Sequence, residues 1–305
     1  MNAPESPKAA AARPNRGFVL GVGAYALWGV LPIYFKAIAD VGSIDIVAHR
    51  VLWSLPFLVV LVAISRGWSQ VRAAATKPRI LGVLALTALL IGGNWLLYVY
   101  AVTSGHILAS SFGYYLNPLA NVLLGRFVLK ERLTRLQWLA VAIAGAGISV
   151  LAAGALGQLW ISLSLCVSFA LYGLLRKVVP ADAVTGLAIE TALLFPLAVA
   201  WLAWRTASGA PTFGSGETDA LLLMLAGVVS TTPLLLFNAA AKRLPYSTLG
   251  MLQFLAPTLQ FLLAVLIYGE PFTRAHAVAF TAIWTALALY VVALLRSPRL
   301  PQAPE

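Results

Sequence analysis

Charge is scarce in this chain of 305 residues: Asp, Glu, Lys and Arg make up 10% of it, whereas hydrophobic residues make up 61%. A soluble domain carries about 25% charged and about 45–50% apolar residues. That deficit excludes a cytosolic enzyme, and the apolar excess excludes a disordered chain. Cysteine is nearly absent. Cys166 alone cannot close an internal disulfide or supply a thiolate cluster, which removes the secreted disulfide scaffold and leaves it as a small apolar filler. The three histidines, His49, His106 and His276, are scattered, and no His-x-x-x-His or Cys-x-x-Cys spacing occurs, so no metal is expected. There is no P-loop, and the acids form no Asp-rich cluster of the kind that holds Mg²⁺ and diphosphate. Gly21-Val22-Gly23-Ala24-Tyr25-Ala26 fits a loose dinucleotide pattern, but it lies inside an apolar run with no strand before it. No cofactor is expected.

What is present is apolar sequence in blocks. Ten runs reach the roughly 20 residues that span a bilayer. They cover 17–38, 44–65, 79–103, 107–129, 135–153, 158–178, 184–204, 219–241, 246–267 and 275–295. The apolar/polar alternation of barrel strands is missing. Helices, which satisfy their own backbone in lipid, are the remaining solution. The expected fold class is therefore all-α integral membrane, with ten transmembrane helices. Residues 1–16 form an Ala/Pro-rich polar tail predicted to be disordered. The Arg13–Arg16 flank and the long run after it resemble an uncleaved signal anchor.

The net charge of +11 has a geometric origin. Lys8, Arg13, Arg16, Arg66, Arg72, Lys77, Arg79, Arg126, Lys130, Arg132, Arg135, Arg176, Lys177, Lys242, Arg243, Arg296 and Arg299 all fall on one side of the ten-span arrangement, 17 of the 21 basic residues. Lys36, Arg205 and Arg274 fall on the other, and Arg50 lies within a span. The positive-inside rule then puts both chain ends in the cytoplasm. The charge needs no nucleic acid to explain it.

The chain also repeats itself. Asn117-Pro118 matches Ala256-Pro257, Glu131 matches Glu270, Thr134 matches Thr273 and Arg135 matches Arg274, all at an offset of 139. Tyr25-Ala26-Leu27-Trp28-Gly29 echoes Phe169-Ala170-Leu171-Tyr172-Gly173, and Pro56 aligns with Pro196. The reading divides the chain into a tail (1–16), a first five-helix repeat (17–153), a second (158–295) and a cytoplasmic tail (296–305). An odd number of spans per repeat turns the second upside down. Such a 5+5 inverted-topology repeat belongs mainly to transporters, because two half-structures that can exchange shapes give alternating access.

Ile91-Gly92-Gly93-Asn94-Trp95-Leu96-Leu97-Tyr98 resembles a stretch of the RarD, or chloramphenicol-sensitive, subgroup of the EamA-type drug/metabolite transporters. So do His49-Arg50-Val51-Leu52-Trp53-Ser54, Gly113-Tyr114-Tyr115-Leu116-Asn117-Pro118-Leu119 and Pro257-Thr258-Leu259. The similarity runs from about Gly17 to Leu295. It implies ten helices as two inverted repeats, residence in the bacterial inner membrane and a small-molecule permease that exports its substrate.

Polar groups within spans ask for a reason. Arg50 and Glu190 align between the repeats at an offset of 140, each about two turns into its span. Arg50, beside His49, suits an anionic group such as a carboxylate. Glu190 suits a substrate amine or a coupling proton. Each is equally consistent with a network that only ties helices together. A cavity set follows on helical spacing: Trp28, Asn94, Trp95 and Tyr98; Tyr114, Asn117 and Asn121; Asn238, Gln253 and Gln260. Pro118 and Pro257 are candidate hinges. The fifth and tenth spans are expected outside the cavity, with Ala144-Gly145-Ala146-Gly147 a candidate homodimer surface. The expected partners are thus a small amphipathic substrate, the lipid bilayer, a proton and a second copy. Proton antiport and facilitated efflux both remain open, as do two other classes: an intramembrane enzyme and a non-transporting sensor or assembly protein. Accessibility labelling from either side of the membrane should find both chain ends in the cytoplasm; ends on opposite sides would contradict the even number of crossings.

Overall fold

The computed structural model describes residues 16–38, 40–104, 106–152, 157, 159–214, 216–269 and 273–296. The tails before 16 and after 296, and Glu270 of the repeat comparison, lie outside the described residues.

All regular structure among the described residues is helical. The elements are α1 (Arg16–Ala37), α2 (Ser43–Ile64), α3 (Trp68–Ala75), α4 (Pro78–Thr103), α5 (Ile107–Phe127), α6 (Arg135–Ala152), α7 (Leu159–Val178), α8 (Ala183–Ala207), α9 (Glu217–Ala241), α10 (Tyr246–Leu252), α11 (Leu255–Leu266) and α12 (Arg274–Arg296). Eight stretches among the described residues are long and apolar enough to cross a bilayer, with α10 and α11 taken as one. Helices α5 and α6 occupy the two other apolar runs.

Two features depart from the sequence expectation. The first is α3, in a stretch expected to be loop. Its Val71 and Ala74 pack on Leu84, Val179, Ala181 and Ile189, so one edge of an otherwise polar segment is buried. The second is the division of the ninth run at Gln253–Phe254. Pro257 has no N–H to offer the carbonyl four residues back. That carbonyl, of Gln253, instead accepts from the Ala256 amide at 3.2 Å, which tightens the turn and separates α10 from α11. The start of α10 is held by Glu131, whose carboxylate accepts from the Tyr246 and Ser247 amides and from Ser247 Oγ.

Helix α2 packs on α8 and α9, α1 on α9 and α11, α7 on α4 and α5, α10 on α5, and α6 on α12. Glycines permit the closest approaches. A Cβ on Gly227 of α9 would lie 2.3 Å from the Trp53 carbonyl carbon of α2, and one on Gly250 of α10 would lie 2.8 Å from Pro118 O of α5. The small-residue run of α6 is used within the chain: a Cβ on Gly147 would meet Ala282 of α12 at 2.7 Å, and Gly145 faces Leu119 of α5.

The two ends of the bundle differ. At the basic end, where α1 begins and α7 and α9 finish, Tyr25 Oη donates to Leu249 O at 3.1 Å and Tyr246 Oη to Ala170 O at 2.6 Å. Trp28 sits in an aromatic cluster with Tyr25, Phe169 and Phe237 at ring separations of 5.7, 5.9 and 5.7 Å, which fills the bundle above these contacts. Toward the far end, Tyr98 remains 42% exposed although its ring faces Tyr114 at 5.7 Å, and Gln260 is exposed. Contacts fill the basic half, while Tyr98 and Gln260 keep exposed surface toward the far end.

Gly227→Ala should lower the thermal unfolding temperature in detergent by several degrees, because the new methyl meets backbone and overpacking costs about 1–3 kcal/mol. Gly82→Ala, with no atom within 4 Å of the added Cβ, should leave it unchanged or slightly raised.

Candidate functional site

Seven residues after the start of α2, about 10 Å along the helix, Arg50 turns its guanidinium into a box of aromatic rings. It lies 4.5 Å from the Trp95 ring centroid and 5.7 Å from that of Phe35. The hydroxyls of Tyr34, Tyr98 and Tyr114 are within electrostatic reach. The ring faces stabilise a cation, and α1, α2, α4 and α5 each contribute. No carboxylate pairs with Arg50 among the described residues, and its buried Nε has no acceptor. The box is held from behind. Tyr114 Oη donates to Asn94 Oδ1 at 3.1 Å, while Asn94 Nδ2 donates to Leu165 O at 3.0 Å and Ser168 Oγ at 2.9 Å, tying α4 to α7. Tyr34 Oη donates to Leu222 O.

Glu190, seven residues after the start of α8, stands in a different network nearer the basic end. Its carboxylate accepts from Thr87 Oγ1 at 2.6 Å and Tyr172 Oη at 3.4 Å. Asn238 Nδ2 donates to Tyr172 Oη at 2.9 Å, so α4, α7, α8 and α9 all join at this acid. The counter-ion is Arg176, with Nε 3.4 Å from Glu190 Oε1. That nitrogen makes no hydrogen bond, so the attraction is ionic without a well-aligned N–H. Arg176 Nη2 donates to Asp182 O at 3.2 Å and Ala183 O at 3.3 Å. Its head lies flat over Gly186, where a Cβ would sit 1.8 Å from Nη1.

Sequence reading counted Arg176 with the basic residues of one membrane side, where the sixth and seventh spans join. In the structure Arg176 lies in the last turn of α7 and is wholly buried. The available signal was Gly186, four residues before Glu190 and therefore on the same face of α8. Arg50 and Glu190 belong to separate networks. Between them runs a crevice of about 10 Å³ walled by Val51, Ser54, Trp95, Thr191, Ser230 and Thr231, with Glu190 at its margin.

The remaining predicted residues divide. His49 binds Thr212 O through Nε2 at 2.7 Å and its ring meets Phe213 at 4.6 Å, so its partners belong to the segment joining α8 and α9. Asn121 Nδ2 donates to Gln253 Oε1 at 2.8 Å, joining α5 to the break between α10 and α11. Gln260 Nε2 donates to Trp28 O at 3.0 Å, joining α11 to α1. Asn117 is fully buried and neither of its amide atoms has a partner. Pro118 lies at the α5–α10 crossing, and Pro257 opens α11.

Two further ionic devices escaped the sequence reading. Near the far end Asp45 pairs with Arg205 at 3.0 Å and accepts from Trp201 Nε1 at 2.8 Å, tying α2 to α8. At the basic end Lys177 Nζ donates to Ala241 O at 2.8 Å, capping α9, while Lys242 Nζ donates to Val179 O and to Lys177 O at 3.2 Å, capping α7. Burial, then the charges of Arg176 and Lys177, lower the Lys242 ammonium to about 8, with Asp182 opposing.

Arg176→Met should destabilise the protein by about 3–5 kcal/mol, because it strands a buried carboxylate. Adding Glu190→Gln should restore most of that loss when unfolding is followed in detergent. Simple additivity of the two costs would show that the ions are not coupled.

Known proteins place this arrangement. Residues 15–153 match the EamA-like transporter family. The chain is 44% identical to Protein RarD of Escherichia coli, covering 95% of this chain and 98% of that one. It is 45% identical to an uncharacterized transporter of Vibrio cholerae, covering 91% and 92%. It is 35% identical to the chloramphenicol-sensitive protein RarD of Pseudomonas aeruginosa, covering 90% and 93%. One crystal structure of a protein superposes with a TM-score of 0.71 at 19% identity, covering 92% of this chain and 99% of that one, a likeness of fold. Together with the apolar helices, these relatives make the molecule a multi-pass protein of the bacterial inner membrane. The chain belongs to the EamA family of membrane transporters, as a RarD-type permease.

Proposed function

We propose that the protein is a secondary exporter of small amphipathic molecules that carry an anionic group, working by alternating access between two inverted five-helix repeats with the basic end in the cytoplasm. One observation carries this reading: the two aligned ionisable residues are in opposite states. Glu190 is paired with Arg176 toward the basic end, whereas Arg50 has no carboxylate partner among the described residues; on this reading the space beside Arg50, toward the exposed Tyr98, is the base of a vestibule open to the far side. A bare guanidinium in a span is costly unless water or an anion reaches it. The aromatic box supplies what an amphipathic anion needs, a cation for its charge and ring faces for its apolar part.

In the state described here, the vestibule receives or releases substrate on the far side. Closing it removes water from Arg50, and an anionic group seated there offsets that loss. Opening the basic end separates Glu190 from Arg176, and a proton on Glu190 removes the attraction that holds the end shut. Export against a concentration difference then draws on the proton gradient through Glu190.

A thermal-shift screen of anionic metabolites and chloramphenicol identifies ligands, since a compound that binds only the folded form raises its apparent stability. Proteoliposome counterflow with a labelled hit then tests transport. Glu190→Gln should abolish flux driven by a pH gradient and leave counterflow intact. Arg50→Gln should abolish the ligand shift, whereas Arg50→Lys retains part of it. Equal pH-driven flux in wild type and Glu190→Gln would remove the proton from the mechanism, and product formation without flux would mark an enzyme.

A further inference from the structure

The crevice between the two networks has no part in binding as described above, yet its mostly apolar wall, with Val51, Ile91, Leu187, Leu194 and Leu234, also carries a line of hydroxyls. Helix α2 contributes Ser54, α8 contributes Thr191, and α9 contributes Ser230 and Thr231, with Glu190 at one margin and Trp95 at the other. Thr231 Oγ1 donates to Ser54 Oγ at 2.6 Å, and Ser54 Oγ itself donates to Arg50 O in its own helix and lies 3.3 Å from Gly227 O, where α2 and α9 are in backbone contact. Ser230 Oγ is buried without any partner. A buried hydroxyl with no partner, beside about 10 Å³ of space, has room for about one water. The indole at the other margin is the one that carries Arg50.

We propose that Ser54, Thr191, Ser230 and Thr231, with a water in the crevice they line, form a hydroxyl relay through which Glu190 exchanges its proton with the vestibule while the basic end is shut. The relay rests on the reading of Glu190 as the proton carrier. Each hydroxyl in such a chain gives up one proton as it accepts another. When the carboxylate takes a proton from the water, the water is replenished through the hydroxyls, and the deficit ends in the vestibule. No ion has to reside in the bundle.

Electrostatics favours this direction. From α7, Glu190 is faced by Tyr172 and Arg176; Lys177 and Lys242 lie beyond Arg176 at the basic end, capping α9 and α7, and Asp182 stands at the start of α8. Helix α4 presents the neutral Thr87, with Arg79 at its basic-end start, and α3 carries Arg72. A proton arriving from the basic end therefore has to pass Arg176, Lys177 and Lys242. From α2 the approach presents Ser54. Arg50 is the cation on that route, on the vestibule side at Trp95, with Asp45 and His49 nearer the far end of the same helix.

The test needs no transported ligand. The purified protein in detergent is subjected to a rapid pH drop, and the carboxyl C=O band is followed by time-resolved infrared spectroscopy. The band that disappears in Glu190→Gln belongs to Glu190. Ser230→Ala together with Thr191→Val should slow its appearance by about tenfold or more, equivalent to about 1.4 kcal/mol on the barrier, and leave the midpoint pH unchanged. Ser230→Thr, which keeps the hydroxyl, should retain the wild-type rate, and Ser230→Ala alone gives the smallest perturbation of packing. A wild-type rate in the double variant would overturn the relay and leave Glu190 as carrier. Absence of any band lost in Glu190→Gln would remove the carrier itself, and the relay with it.

Discussion

A charge in a bilayer must either meet its opposite or meet water, and the arrangement of this molecule follows from that constraint. Desolvating an ion without a partner costs several kcal/mol. Glu190 meets the requirement inside the protein, through Arg176, Thr87 and Tyr172, and the helices that supply those groups are consequently drawn together at the basic end. Arg50 pairs with no carboxylate among the described residues, and aromatic faces carry part of its charge. On the proposed transport reading, which end of the bundle opens follows from where the chain placed one acid and two arginines.

The helices themselves were legible because lipid leaves the backbone few choices. Nine of the ten apolar runs are each a single helix with ends within a few residues of those read from the sequence, and the ninth is two helices, α10 and α11. What escaped was of another kind. Helix α3 is short and polar and is helical because one edge packs on α4 and α8. The break at Gln253–Phe254 depended on how a carbonyl freed by Pro257 would be satisfied, which hydrophobicity does not report. Arg176 was counted with the basic residues near the join of the sixth and seventh spans. A long side chain can turn inward from the last turn of a helix, and whether it does is decided by the neighbour, here the bare backbone at Gly186.

The candidate site was legible as a set of faces and not as a set of contacts. Helical spacing puts Asn94 with Tyr98, and Tyr114 with Asn117 and Asn121, on common stripes. It does not say which stripe on another helix each one meets. Asn94 serves Tyr114 and α7, Asn121 serves Gln253, Asn238 serves Tyr172, and Gln260 serves a carbonyl of α1. Most of these amides therefore hold pairs of helices at a fixed separation, which is the commoner use of an amide in a membrane interior. Asn117 is the exception, buried beside the hinge candidate Pro118 with both polar atoms unmet. Polarity alone would have ranked it no differently from its neighbours.

On the proposed transport reading, these contacts also separate what moves from what does not. The backbone of α9 at Gly227 rests on that of α2 at Trp53 and Ser54, and Thr231 bonds to Ser54 beside it, so sliding there would require several tight contacts to yield together. Helices α2 and α9 are best regarded as one body. The α10–α11 segment has the opposite character. Its helical ladder is interrupted between Gln253 and Phe254, its lower piece is hooked by Glu131, and its upper piece is tied to α1 by the amide of Gln260. Across this break the α-helical ladder gives way to the shorter Phe254 N–Met251 O and Ala256 N–Gln253 O bonds, so fewer i to i+4 bonds oppose a tilt of one piece against the other. Alternating access in this molecule therefore calls for bending at an existing interruption, with the ionic pair at Glu190 deciding which end that bend leaves open.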